Sequence, residues 1–235
     1  MVFGKSGAMG RRSPWRVAGR EVLALARQAT LLHRDLPEQL PATIEAGQHV
    51  IVLLHGLFAT AGVLRPLRRE LEDRVRAKTA SLSYAPGPGV EELSHRLGAL
   101  IARLPIDVRI HLVGHSMGGI VARWFVQEQG GDPRVVQTIA LASPFYGTRH
   151  ARLMFGAAGR DIAPQSPLLR RLRRSAAWCG VPHISLAATH DAVVTESALF
   201  EIGEHIVVPN VGHNGLLYSR EATELVVRLV RRAAA

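Results

Sequence analysis

The chain has 235 residues, 47% hydrophobic and 5% aromatic, which suits one large α/β domain with an aliphatic core and is short for two. Its formal net charge of +10 is carried almost wholly by arginine, the lysines being Lys5 and Lys78. The arginines are scattered through helical patterns without interleaved aromatics, which argues against specific nucleic-acid binding and for a solvated basic surface, and the lone Cys179 excludes an intrachain disulfide.

Residues 1–47 read as an N-terminal extension. Met1 to Arg20 is basic, and Val22, Leu23, Leu25, Ala26, Ala29, Leu31 and Leu32 follow as one amphipathic helix, closed by Pro37 and Pro41. Arg27 and Gln28 break its apolar run and no cleavage-site pattern follows, so the stretch predicts neither a secretory signal nor a spanning helix. The expected location is cytoplasmic, with peripheral contact at an anionic membrane surface.

Residues 48–235 alternate aliphatic strand patterns with helical ones. HVIVLL at His49 to Leu54 predicts a buried strand, Ala61 to Arg74 a helix, Val75 to Tyr84 a more exposed strand, and Val90 to Leu104 a helix after the Pro86-Gly87-Pro88-Gly89 break. Then come a strand at Val108 to Val113, a helix to Gln129 and strands at Val135 to Ala142, His183 to Ala188 and His205 to Val208. Arg220 to Arg232 is the closing helix. Such alternation predicts a mostly parallel sheet covered by helices on both faces, with a ligand site at the carboxyl ends of the strands.

The strand at Val108 runs into Gly114-His115-Ser116-Met117-Gly118 and at once into a helix. A serine hydroxyl is a poor nucleophile in water, so it must be exposed beside a base and near oxyanion donors. A strand-turn-helix elbow exposes it, and glycines two positions to either side leave room for the sharp turn. The base should follow in the chain on a loop after a strand. His213, in Val211-Gly212-His213-Asn214-Gly215, meets that requirement, whereas the other histidines fall mostly within or at the edges of helix and strand patterns.

The acid that orients the base should close an intervening strand, which selects Asp191. Its rivals are Asp132, a turn residue before Pro133, Asp161, and Glu196 five residues beyond Asp191. The oxyanion donors expected are the N–H of Met117, next after the serine at a helix start, and the N–H of Leu57 in the turn His55-Gly56-Leu57-Phe58.

With HGLF at His55, GHSMGG at Gly114, LASPFYGT at Leu141, APQSPLL at Ala163, THDAVV at Thr189 and VGHNGLL at Val211, the chain resembles α/β-hydrolases of the bacterial lipase and esterase group. It is similar as well to the lipase-like domain of GPI inositol-deacylases. The resemblance implies an α/β-hydrolase fold, Ser116 as nucleophile, Asp191 as acid, His213 as base, Leu57 and Met117 as oxyanion donors, and hydrolysis of carboxylic esters without a cofactor, on a small-molecule or lipid ester; unlike extracellular lipases of the group, the sequence has no calcium-ligand cluster, so no metal is expected.

Thr148 to Gly180 is too long for a plain connection and predicts a small helical cap. Its apolar residues Leu153, Met154, Phe155, Leu168, Leu169 and Leu172 oppose a set of arginines. That pattern fits an acyl-binding cover at an anionic interface and equally a helix pair packed on the core. Two further functions share these residues: an acyltransferase or thioesterase on the same triad, and a non-catalytic scaffold that binds lipid or a partner.

Overall fold

The computed structural model describes residues 14–154, 156–195, 200 and 202–234. Six strands, β1 (His49–Leu54), β2 (Lys78–Leu82), β3 (Arg109–His115), β4 (Val135–Leu141), β5 (His183–Ala188) and β6 (Glu204–Val208), form one sheet in the order β2-β1-β3-β4-β5-β6. Every neighbouring pair is parallel. The helices are α1 (Pro14–Leu31), α2 (Arg65–Val75), α3 (Val90–Ile101), α4 (Met117–Glu128), α5 (Gly156–Asp161), α6 (Pro167–Ser175) and α7 (Arg220–Ala234).

The aliphatic runs follow from burial on both faces. Successive side chains of a strand point to opposite sides, so Val50, Val52 and Leu54 of β1 join α3 and α4 in one core, while Ile51 and Leu53 join α2 and α7 in the other. Because all six strands run the same way, the loops that leave β1, β3, β5 and β6 open on one edge of the sheet. These are the loops that hold Leu57, Ser116, Asp191 and His213.

Two elements depart from expectation. The second strand is shorter than Val75 to Tyr84 and is buried along four of its five residues, although it stands at the sheet's edge. Its free side is covered by the segment after α1, where Gln39 and Ser81 exchange backbone hydrogen bonds of 3.0 and 2.9 Å. The first helix is longer than the Val22 to Leu32 pattern and begins at Pro14, a residue tolerated in a first turn because its missing N–H would have had no helical acceptor.

Between β4 and β5 lie a 3-10 turn at Arg149–Leu153, α5, α6 and a second 3-10 turn at Ala176–Trp178. Ser166 caps α6 by accepting the Leu169 N–H at 3.1 Å. Leu169 and Leu172 are buried in the core that also holds α4, and Arg171 pairs with Glu128 of α4 at 2.5 Å. Arg170, Arg171 and Arg174 face solvent. α6 is therefore packed on the core through its leucines, which is the second of the two readings of the amphipathic pattern. Phe155 lies outside the described residues.

Candidate active site

Ser116 occupies the turn between β3 and α4 with φ 52° and ψ −121°, a combination costly for any residue with a Cβ. The surroundings hold it there. Its N–H donates to Leu141 O at 2.8 Å, and α4 starts at the next residue. The flanking glycines are needed for close approach: a Cβ on Gly118 would stand 2.5 Å from Leu54 O, and one on Gly114 would strike the backbone of Gly118 and Gly119. Met117 opens α4, so its N–H has no acceptor within the helix and lies at the positive end of the helix dipole.

Asp191 lies three residues past β5, in a turn that its own side chain stabilises. Its Oδ1 accepts the N–H groups of Val193 at 2.8 Å and Val194 at 2.7 Å, which leaves Oδ2 for Nδ1 of His213 at 2.8 Å. The carboxylate side chain is 2% exposed and that of His213 8%, so the pair is sheltered from competing water. With Nδ1–H donating to the carboxylate, Nε2 of His213 carries the lone pair. The two rival aspartates are engaged elsewhere: Asp132 pairs with Arg134 at 2.8 Å, and Asp161 Oδ2 accepts the Val90 N–H at the start of α3 at 2.8 Å. Glu196 lies outside the described residues.

Two buried histidines, left without a role by the sequence, support this edge. His55 receives the Tyr84 N–H on Nε2 at 3.1 Å, so Nδ1 carries the proton and donates to Gly56 O at 2.7 Å. The Tyr84 hydroxyl donates to His55 O, and the two rings stack with centroids 3.9 Å apart. Burial pushes the His55 pKa down to about 4, so the ring is neutral and braces the Gly56-Leu57 turn. His115 donates Nε2–H to the His213 carbonyl at 3.1 Å and is held down to about 3, first by burial and then by the nearby His213 ring.

Ser116, His213, Gly56 and Leu57 line one cavity of about 350 Å³. Met154, Ile162 and Val193 add apolar walls, and none of the described residues lining it is Asp, Glu, Lys or Arg. Leu25, Gln28 and Ala29 of α1, with Leu32 just beyond its end, form a further wall. The sequence offered no signal for that contact, because an amphipathic pattern shows which helix face is buried and not what it is buried against.

A family model, the PGAP1-like alpha/beta domain, matches residues 95–152, a stretch that includes Ser116 and ends before Asp191 and His213. Solved structures match far more of the chain. The mature lipase BlEst2 of Bacillus licheniformis superposes with a TM-score of 0.67 at 14% identity, covering 83% of this chain and 97% of its own. The monoacylglycerol lipase of Paleococcus ferrophilus gives 0.63 at 13% identity, covering 80% and 96%. The phospholipase PlaB of Legionella pneumophila gives 0.70 at 13% identity, covering 80% of this chain and 61% of that one. The chain has the α/β-hydrolase fold. No curated protein gives a significant sequence match.

In this α/β-hydrolase fold the five residues nominated from sequence all fall at the carboxyl edge of the sheet: Leu57 after β1, Ser116 and Met117 at the β3–α4 junction, Asp191 after β5 and His213 after β6. Residues of the elbow, the base loop and the β1 turn share the cavity. The Met117 side chain is instead fully buried, which leaves its backbone N–H as the group the sequence reading assigns to the site. Among the described residues no helix is long and apolar enough to cross a membrane.

Proposed function

We propose that the protein is a serine hydrolase that cleaves carboxylic esters through an acyl-serine intermediate. The observation that carries this reading is the buried Asp191–His213 pair, which fixes His213 with its Nε2 lone pair available, in the same cavity as a strained Ser116. A loop serine with no chemical role has no need of that arrangement.

His213 Nε2 takes the Ser116 proton as Oγ attacks the ester carbonyl carbon. The oxyanion is held by the N–H groups of Leu57 and Met117, and the protonated His213 returns its proton to the departing alkoxide. Water, deprotonated by the same nitrogen, then attacks the acyl-serine, and the carboxylic acid is released as His213 returns that proton to Ser116 Oγ. The Asp191 carboxylate, hydrogen-bonded to Nδ1, stabilises the imidazolium. The uncharged, largely apolar cavity suits a neutral acyl group, which supports a lipid or other hydrophobic ester as substrate.

Hydrolysis of p-nitrophenyl esters by the full chain tests this. Ester cleavage that falls to background in Ser116→Ala is expected, and full activity in that variant overturns the proposal.

A further inference from the structure

The strongest unexplained feature is how α1 is fastened. Val17, Glu21, Ala24, Gln28 and Leu31 form a narrow stripe at helical spacing, of which Val17 and Ala24 are buried and the others half-buried. Apolar contact alone holds such a helix weakly. Glu21 adds a polar clasp: Oε1 accepts the Asn214 N–H at 2.7 Å and Nδ2 at 2.8 Å, and Oε2 accepts the Gly215 N–H at 2.9 Å. These are the two residues directly after His213. The fit is close enough that a Cβ on Gly212 would stand 2.5 Å from Glu21 Oε2.

The other end of α1 is tied down too. Asp35, four residues beyond the helix, takes a two-pronged bond from Arg65 of α2, with Nε to Oδ2 at 2.9 Å and Nη2 to Oδ1 at 2.8 Å. Its carboxyl pKa is lowered, chiefly by that hydrogen bond. Ser83 donates to Asp35 O at 2.6 Å and Thr60 to Arg34 O at 3.1 Å. α1 is thus anchored at Glu21 on the base loop and at Asp35 on α2, and the stretch between the anchors faces Ser116 across the cavity.

We infer that α1 is a specificity wall of the acyl site, with Glu21 a positioning residue that couples the wall to the His213 loop. The inference rests on the acyl-serine reading and extends it. A short acyl group reacts at Ser116 without reaching the helix, while a longer chain must lie along Leu25, Ala29 and Leu32. Acyl-chain preference is accordingly set by α1 and the residue that follows it, Leu32.

The test compares kcat/KM of the full chain for p-nitrophenyl acetate and p-nitrophenyl octanoate. Ala29→Trp, which narrows the cavity from an exposed position, is expected to lower the octanoate-to-acetate ratio by roughly 10-fold, the discrimination typical of one or two methylenes in an apolar pocket. Ala26→Trp, on the outward face of the same helix, keeps the ratio within about 2-fold of wild type. Glu21→Ala lowers kcat on both esters by more than it changes KM, because it loosens the base rather than the binding surface. An unchanged ratio in Ala29→Trp, or an equal shift in Ala26→Trp, overturns the role of α1. A wild-type chain that cleaves neither ester overturns the acyl-serine reading itself, and the two failures are told apart by that control.

Discussion

Oδ2 of Asp191 lies 2.8 Å from Nδ1 of His213, while Oδ1 of the same carboxylate is held by two backbone N–H groups of its own turn. The carboxylate therefore has one fixed orientation and imposes one tautomer on the imidazole. Asp191→Asn can present an amide N–H to Nδ1 and invert that tautomer, placing the proton on Nε2 where a lone pair is required. A fall in kcat on the order of 10³ to 10⁴ is expected with little change in KM. Steady-state kinetics on p-nitrophenyl butyrate measure it, and a loss under 10-fold contradicts the assigned role.

The turn that carries Leu57 depends on Tyr84. Removing the hydroxyl in Tyr84→Phe leaves the buried His55 carbonyl without that donor, at a cost of about 1–3 kcal/mol in folding stability. Because the proposed mechanism draws an oxyanion donor from this turn, kcat is expected to drop as well, while Ser116 still reacts with covalent probes. Urea denaturation and kinetics on the one variant check both effects. Unchanged stability and kcat would detach Tyr84 from the site.

Acid destabilises this fold through its neutral histidines. His55 is held down to about 4, and His111 and His115 to about 3, in each case chiefly by burial, against an ordinary value of 6.5. Between those limits the unfolded chain binds protons that the folded chain does not, so unfolding free energy rises with pH there. Their contribution is complete above about pH 6.5 and is lost as pH falls toward 4, with a slope of about 1.4 kcal/mol per pH unit for each histidine. Thermal melts from pH 8 to pH 4.5 should show a Tm that is level at the top and falls steeply below about 6.5. A Tm constant down to pH 5 would contradict the neutral, buried state of these rings.

The insert between β4 and β5 is fastened to α3 by Asp161, whose Oδ2 caps Val90. Asp161→Ala removes that acceptor and is expected to cost about 1 kcal/mol, the usual loss for a helix cap. Chemical denaturation reads the change, and a stabilised variant would show that the buried carboxyl, whose pKa burial raises, is a net strain.

The parallel sheet and the loops that carry the candidate residues were legible because each signal was local. An aliphatic run such as HVIVLL needs cover on both faces, and Ser116, Asp191 and His213 each follow such a run. What was hidden depends on contacts distant in the chain. Glu21 stands among arginines and reads as one more solvated charge until it is seen 2.7 Å from the backbone of Asn214, 193 residues away. His55 and His115 stand inside the HGLF and GHSMGG motifs without a role of their own, since only the fold shows that one ring braces the Leu57 turn and the other holds the His213 carbonyl. The leucines of Pro167–Ser175 left two readings open for the same reason: their spacing showed an apolar face, and the structure gives that face to the core at α4 while α1 lines the cavity.

The central claim, that Ser116 is a nucleophile activated by His213, is tested most directly by incubating the folded chain with a fluorophosphonate and mapping the adduct by mass spectrometry. A single phosphonyl group on the peptide containing Ser116 is expected, with a labelling rate that collapses in His213→Ala. An adduct on another residue, or labelling of Ser116 that is as fast without His213, would contradict it.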